Sequence, residues 1–116
     1  MLAKKYRLKK DNAFRATYRV KNVVADGYVQ LFRGRRKENS NAPTKVGFVV
    51  TKKIHKRAVR RNRIKRLYRE ACRLILKDNL AGKSQEFMSL VFVIKQDALI
   101  LSFKECYQSV LKLLNK

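Results

Sequence analysis

The chain is poor in the residues that most catalytic and metal-binding sites require. Its 116 residues include no Trp, one Pro, one His and two Cys. His55 has no Cys or second His at metal-ligand spacing, and Cys72 and Cys106 are too far apart for a zinc motif. The four glycines form no phosphate-binding loop, and the eight acidic residues are scattered. We therefore expect no catalytic residue, no metal ligand and no small-molecule substrate.

Long apolar runs are also lacking. No run reaches the roughly 18 residues that a membrane span requires. Residues 1–10 are charged but lack the apolar segment of a secretory signal. We therefore expect a cytoplasmic protein with no membrane partner. Both cysteines fall on apolar helical stripes, which favours buried free thiols over a disulfide.

Positive charge is what the chain has in excess. Thirty Lys and Arg against eight acids give a net charge of +22, although 46% of the residues are hydrophobic and can form a core. The bases are unevenly placed, since residues 52–73 hold 11 of them against a single acid, Glu70. A charge this large destabilises a compact chain unless a polyanion neutralises it. The distribution therefore indicates a binding face, with nucleic acid as the commonest partner.

The hydrophobic periodicity predicts an α+β fold in one domain. Helices are predicted at 11–19, at 57–77 and after Ser102, and strands at 28–33, 46–51 and 87–94, with a weak strand signal near 20–24. This order favours a two-layer sandwich in which helices cover a small sheet. The nearly continuous apolar run at 87–94 is typical of a strand covered on both faces.

Local signals define the connections and the last helix. Residues 33–45 are rich in turn formers and are predicted to be a flexible hairpin loop. Gly82 is predicted to end the second helix. Ser102 and Glu105 form a capping box. The helix that follows is expected to bury Phe103, Cys106, Val110, Leu113 and Leu114.

The segment 57–77 is divided lengthwise into two faces. At 100° per residue, its apolar residues gather within about 120° of arc. They are Ile64, Leu67, Tyr68, Ala71, Leu74 and Ile75. Opposite them lie Asn62, Lys65, Arg66, Arg69 and Arg73.

The cationic face has the spacing of a phosphate-binding surface. Arg66, Arg69 and Arg73 lie one turn apart, at steps of about 5–6 Å. Arg contacts phosphate in a bidentate manner, and Asn62 offers a donor and an acceptor to a base edge or a 2′-hydroxyl. A merely solvated face is disfavoured because its like charges repel along the helix.

At this point the sequence resembles the bacterial ribonuclease P protein family. The run Arg61-Asn62-Arg63-Ile64-Lys65-Arg66-Leu67, followed by Arg69-Glu70, is similar to the RNR signature of that family. The strand at 46–51 and the N-terminal residues 7–10 are also similar to the sequences of that family. One departure is visible at 54–57, where some members have a glycine and a loop shorter by one residue.

The resemblance implies a function in precursor tRNA maturation. In that family a large RNA is the catalyst, Mg²⁺ serves at the RNA active site, and the protein assists removal of the 5′ leader. The RNR helix contacts the catalytic RNA, and a cleft between the sheet and the first helix holds the single-stranded leader. The implied RNA-binding residues are Lys52, Lys53, Arg61, Asn62, Arg63, Lys65, Arg66 and Arg69. The family's βαβ crossover is left-handed, which the resemblance carries over to this fold.

The same resemblance assigns Phe14, Tyr18 and Phe32 to the leader cleft. Unpaired bases stack on such rings with little regard to sequence. From periodicity alone, Phe14 and Tyr18 are better read as core residues, and Phe32 is equally compatible with either role.

Three other function classes stay open on the sequence. A ribosomal or other structural RNA-binding protein is the main alternative, because a basic α+β sandwich also serves that role. A DNA-binding regulator is disfavoured because no helix-turn-helix spacing is present. A free-standing protein nuclease would require a catalytic group that the sequence does not offer.

Overall fold

The computed structural model describes residues 6–8, 11–26, 28–38, 44–50, 57–78, 80, 82, 86–95 and 101–115, with the side chain of Asp11 left out. The elements of this part of the chain follow one another in the order α1 (Asp11–Arg19), β1 (Asn22–Ala25), β2 (Val29–Arg33), β3 (Lys45–Val49), α2 (Ala58–Lys77), β4 (Ser89–Ile94) and α3 (Phe103–Leu114). The predicted α+β class is confirmed. The weak strand signal near 20–24 corresponds to β1.

The sheet is mixed, and β4 lies inside it. The strand order is β1-β2-β4-β3, with β4 antiparallel to β2 and parallel to β3. Since β3 and β4 are parallel neighbours, α2 is the crossover of a βαβ unit. The nearly unbroken apolar sequence of β4 is explained by the helices, because α1 lies over one of its faces and the core shared with α2 and α3 lies over the other.

One face of the sheet carries the main core. The register places Leu31 and Phe48 on either side of Phe92, and the rings of Phe48 and Phe92 stack with centroids 5.2 Å apart. The helices α2 and α3 pack against each other over this face, where Tyr68 and Val110 are fully buried. The opposite face carries Val91 and Phe32 and is crossed by α1.

The predicted hairpin between β2 and β3 is wrong. These strands do not pair, because β4 lies between them. Instead, residues 34–37 extend beyond β2 and pair with residues 86–88, which lie at and before the start of β4. Met88 N donates to Arg35 O at 2.7 Å, and Lys37 N donates to Glu86 O at 2.8 Å. Residues 39–43 of the predicted loop lie outside the described part.

Two local predictions are also corrected. α2 ends at Lys77 with Asp78 as its C-cap, so Gly82 does not end it. Gly82 lies beyond the helix with a positive φ of 57°. In α3, Phe103 is 37% exposed because it occupies the first turn, beside Tyr107 and away from the core.

Other predictions about the core are confirmed. Cys72 and Cys106 are free and buried, and burial raises the pKa of the two thiols to about 12 and about 11. The capping box is present, since Glu105 N donates to Ser102 Oγ and Ser102 N donates to the Glu105 carboxylate. None of the helices in the described ranges is long and apolar enough to cross a membrane.

Candidate nucleic-acid interface

The helix α2 separates its apolar and cationic residues as the sequence predicts. Its fully buried side chains are Ile64, Tyr68, Ala71, Cys72 and Ile75, while Leu67 packs half-buried against the core and Leu74 is half-buried. The exposed side chains on its other face are Asn62, Arg66 and Arg69, with the exposed Arg63 at its margin. We call this exposed set the basic face. The core fixes the rotation of α2, so the basic face points to solvent.

The positive charges on this helix crowd one another. Burial, followed by the charges of Arg69 and Arg61, lowers the pKa of the Lys65 amine. Both Lys65 and Arg61 are half-buried at the margin of the basic face. A bound polyanion would relieve this repulsion, which is the electrostatic reason for a nucleic-acid partner.

Arg73 differs from the other predicted phosphate ligands. Its Nε donates to both carboxylate oxygens of Glu70, at 3.0 and 3.1 Å. The same hydrogen bond is the main cause that lowers the pKa of Glu70. The guanidinium of Arg73 is therefore held by a carboxylate of its own chain, and the phosphate-binding role predicted for it is the weakest of the set.

Two of the predicted RNA-binding residues, Lys52 and Lys53, lie outside the described residues. The same is true of the segment 54–56, which holds most of the departure from the family pattern.

The helix α1 is held against the second face of the sheet by a polar contact at its centre. Thr17 is 1% exposed, and its Oγ1 lies 2.6 Å from Ser89 Oγ at the start of β4. Phe14 lies over Gly47 of β3, where a Cβ would come within 2.5 Å of two ring carbons. α1 therefore crosses the sheet close to the strand backbones.

Two of the three predicted leader-binding rings, Tyr18 of α1 and Phe32 of β2, contact each other, and Phe14 lies one helical turn before Tyr18. The rings of Tyr18 and Phe32 pack edge to face, with centroids 4.9 Å apart and an interplanar angle of 85°. Phe14, Tyr18 and Phe32 are all half-buried, so each contributes to packing and keeps part of its surface exposed. We call this region the ring cleft. Each ring thus packs partly against the fold and keeps part of its surface accessible, and its role in leader binding stays a prediction.

A small cavity connects the ring cleft to the basic face. It has a volume of about 260 Å³ and is lined by Arg7, Phe14, Gly47 and Arg69, among others. Arg69 of α2 and Phe14 of α1 therefore share one concave surface at the β3 edge. One strand of nucleic acid could contact both surfaces there.

The comparisons with known sequences agree on one family. The family model for Ribonuclease P matches residues 2–116. The ribonuclease P protein component of Pelotomaculum thermopropionicum is 35% identical over 94% of this chain and 89% of its own length. That of Symbiobacterium thermophilum is 35% identical over 99% of this chain and 93% of its own. The chain belongs to the ribonuclease P protein family.

Solved structures from this family have the same fold. The RNase P protein of Staphylococcus aureus superposes with a TM-score of 0.74 at 25% identity, covering 96% of this chain and 94% of its own. The RNase P protein of Thermotoga maritima has a TM-score of 0.74 at 20% identity and covers 93% and 94%, which supports the fold alone.

Two small residues that position α1 in this ribonuclease P family member were not among the predicted site residues. They are Gly47, which makes room for Phe14, and Ser89, which bonds Thr17. A signal for both was present, because a glycine inside a strand often marks the close approach of another element. Similarly, Ser89 is the one polar residue in the apolar run 87–94.

Replacing Gly47 by Ala is expected to displace α1 and to lower the free energy of unfolding by about 1–3 kcal/mol, because the new methyl group overlaps the ring of Phe14. Chemical denaturation of both proteins measures this difference. The control is the same substitution in a Phe14→Ala background, where the overlap with the ring is removed and the loss should become much smaller, since Leu8 Cβ lies 3.3 Å from the new methyl group. An equal loss in both backgrounds would show that Phe14 is not the cause.

Proposed function

We propose that this chain is the protein subunit of ribonuclease P, which binds the catalytic RNA and the 5′ leader of precursor tRNA and assists removal of the leader. The observation that carries the proposal is the basic face of α2, which is exposed while the other face of the same helix is core. Family membership supports an RNA partner in the ribonuclease P holoenzyme.

The basic face serves in this proposal to hold the catalytic RNA. Arg66 and Arg69 are exposed on consecutive turns, and each can contact a phosphate in a bidentate manner, which a lysine cannot. Their charge offsets the repulsion between two RNA molecules that must come together. Asn62 is exposed on the same face and is the residue best suited to contact a base or a ribose hydroxyl.

The ring cleft serves to distinguish the precursor from the product. An unpaired leader nucleotide can stack on Tyr18 or Phe32, whereas mature tRNA has no leader to place there. The cleft therefore stabilises the precursor complex selectively.

Hydrolysis is assigned to the RNA, which binds the Mg²⁺ required for it. In the described part of the chain, no three His, Cys, Asp or Glu residues come together. The proposal assigns no step to an ion bound by the protein. The proposed cellular location is the cytoplasm, where precursor tRNA would be met.

Reconstitution tests the proposal. The purified chain is mixed with the catalytic RNA of its host and with precursor tRNA that carries a labelled 5′ leader. At limiting Mg²⁺ we expect faster leader removal with the protein than without it, because the protein supplies positive charge that the ions otherwise provide. At saturating Mg²⁺ the difference should shrink.

The control in this assay is mature tRNA, which has no leader. Its binding should be the same with and without the protein. Leader removal that is equally fast with and without protein at every Mg²⁺ concentration would refute the proposed function. Preferential capture of ribosomal RNA would support the structural RNA-binding alternative instead.

A further inference from the structure

The helix α1 has two flanks, and the ring cleft uses only one of them. Thr17 marks the line along which α1 touches the sheet. At 100° per residue, Phe14 and Tyr18 lie about 60° and 100° to one side of that line, and Ala13 and Ala16 lie about 40° and 100° to the other. The two alanines therefore face away from the rings, along the same face of the sheet.

A groove of about 570 Å³ runs along this second flank. Its apolar part includes Ala13, Ala16 and Met88, and we call it the alanine groove. Its volume lies within the range of about 300–1,000 Å³ that small-ligand sites occupy. Met88 is 53% exposed, so its thioether and the two alanines give the groove an accessible apolar floor.

The charge around the alanine groove has one sign. Its other lining residues include Arg35, Lys37 and Lys45, and none of the described lining residues is acidic. Arg35 and Lys45 are exposed, and Lys37 is half-buried, so that desolvation lowers the pKa of its amine. The backbone of Arg35 and Lys37 is fixed by hydrogen bonds to Met88 and Glu86, which holds two of the cations beside the groove.

We propose that the alanine groove is a second subsite for single-stranded RNA, distinct from the ring cleft, which takes one unpaired nucleotide. The base lies against Ala13, Ala16 and the thioether of Met88, and the adjoining phosphates contact Arg35 and Lys45. An apolar floor with a purely cationic rim matches a flat base attached to charged phosphates. The inference rests on the proposed function, which supplies RNA as the partner.

Binding of a short oligouridylate, followed by amide chemical shifts of the labelled protein, tests the site. We expect shifts at Met88, Ser89 and Lys37 in the wild type and in a Phe32→Leu variant, whose ring cleft is impaired. In an Ala16→Leu variant these shifts should be lost, because the longer side chain fills the groove. Leu is tolerated there, since position 16 is exposed and Leu favours a helix.

The charge contribution is tested by the salt dependence of oligonucleotide affinity. Replacing Arg35 and Lys45 together by Gln removes two phosphate contacts, so the slope of log K against log salt should become shallower by about 1.4. The matched control replaces Lys104 and Lys112 of α3 by Gln. Both lysines are exposed, and replacing them removes the same charge. The slope of log K against log salt should therefore stay the same as in the wild type.

The length of the precursor leader distinguishes the two RNAs that could supply this nucleotide. If the precursor leader occupies the alanine groove, Ala16→Leu weakens precursor binding only when the leader is long. If the catalytic RNA occupies it, the variant weakens assembly with that RNA whatever the leader length. Either result supports an RNA subsite.

The proposal is overturned if oligonucleotide shifts are confined to the ring cleft, or if they are the same in the wild type and in Ala16→Leu. Leader removal is measured in parallel on the same proteins. If the wild-type protein accelerates leader removal but shows no amide shifts at the alanine groove, this inference alone is refuted. If the wild-type protein does not accelerate leader removal, the proposed function is refuted.

Discussion

Replacing Arg66 and Arg69 together by Ala is expected to weaken binding of the catalytic RNA roughly 15- to 30-fold at about 0.15 M salt. Each phosphate contact contributes a slope of about 0.7–0.9 to log K against log salt, and this contribution vanishes near 1 M salt. Two lost contacts should therefore make the slope shallower by about 1.4–1.8. Filter binding over a salt series measures both quantities.

The matched control for this variant is Lys104→Ala with Lys112→Ala on α3. Both lysines are exposed on a helix, and replacing them removes the same charge from another surface. If the two double variants lost affinity equally, the RNA would be responding to net charge, and the basic face would have no special role. Since Arg66 and Arg69 are exposed, neither change should affect folding.

Replacing Phe32 by Leu is expected to weaken precursor tRNA binding to the holoenzyme by about 1–3 kcal/mol, which is roughly a 5- to 150-fold increase in Kd. Leu keeps much of the apolar contact with Tyr18 but removes the flat ring on which a base stacks. Binding of mature tRNA should be nearly unchanged. Competition between precursor and mature tRNA for the reconstituted holoenzyme measures the difference directly.

The control for Phe32→Leu is Phe103→Leu, which removes a 37% exposed ring from α3, outside the ring cleft. It should leave both affinities unchanged. If Phe32→Leu weakened mature and precursor tRNA equally, the ring would not contact the leader, and the ring cleft would have to be reassigned.

The basic face was predictable from the sequence because it depends on local geometry alone. A helix repeats every 3.6 residues, so the separation of Ile64 and Tyr68 from Arg66 and Arg69 can be read directly from their spacing. The apolar character of β4 likewise predicted a strand covered on both faces. Within the described part of α2, the bond between Arg73 and Glu70 was not predictable, because the i, i+3 spacing allows this pair without requiring it.

The strand order was not predictable in the same way. The segment 33–45 has the composition of a hairpin loop, yet β2 and β3 both pair with β4. Turn residues indicate that the chain changes direction and do not specify which strand will be its neighbour. That choice depends on burial, because the nearly unbroken apolar run of β4 is stabilised most between two other strands.

The two grooves beside α1 show where sequence reasoning ends. The sequence by itself determined the two faces of α2, the capped start of α3 and the apolar nature of β4, because each depends on residues near one another in the chain. Only the tertiary structure decided that Thr17 would meet Ser89 and that Phe14 would lie over Gly47. Those contacts join segments more than 30 residues apart. The placement of the rings on one flank of α1, and of the alanine groove on the other, follows from how α1 docks on the sheet.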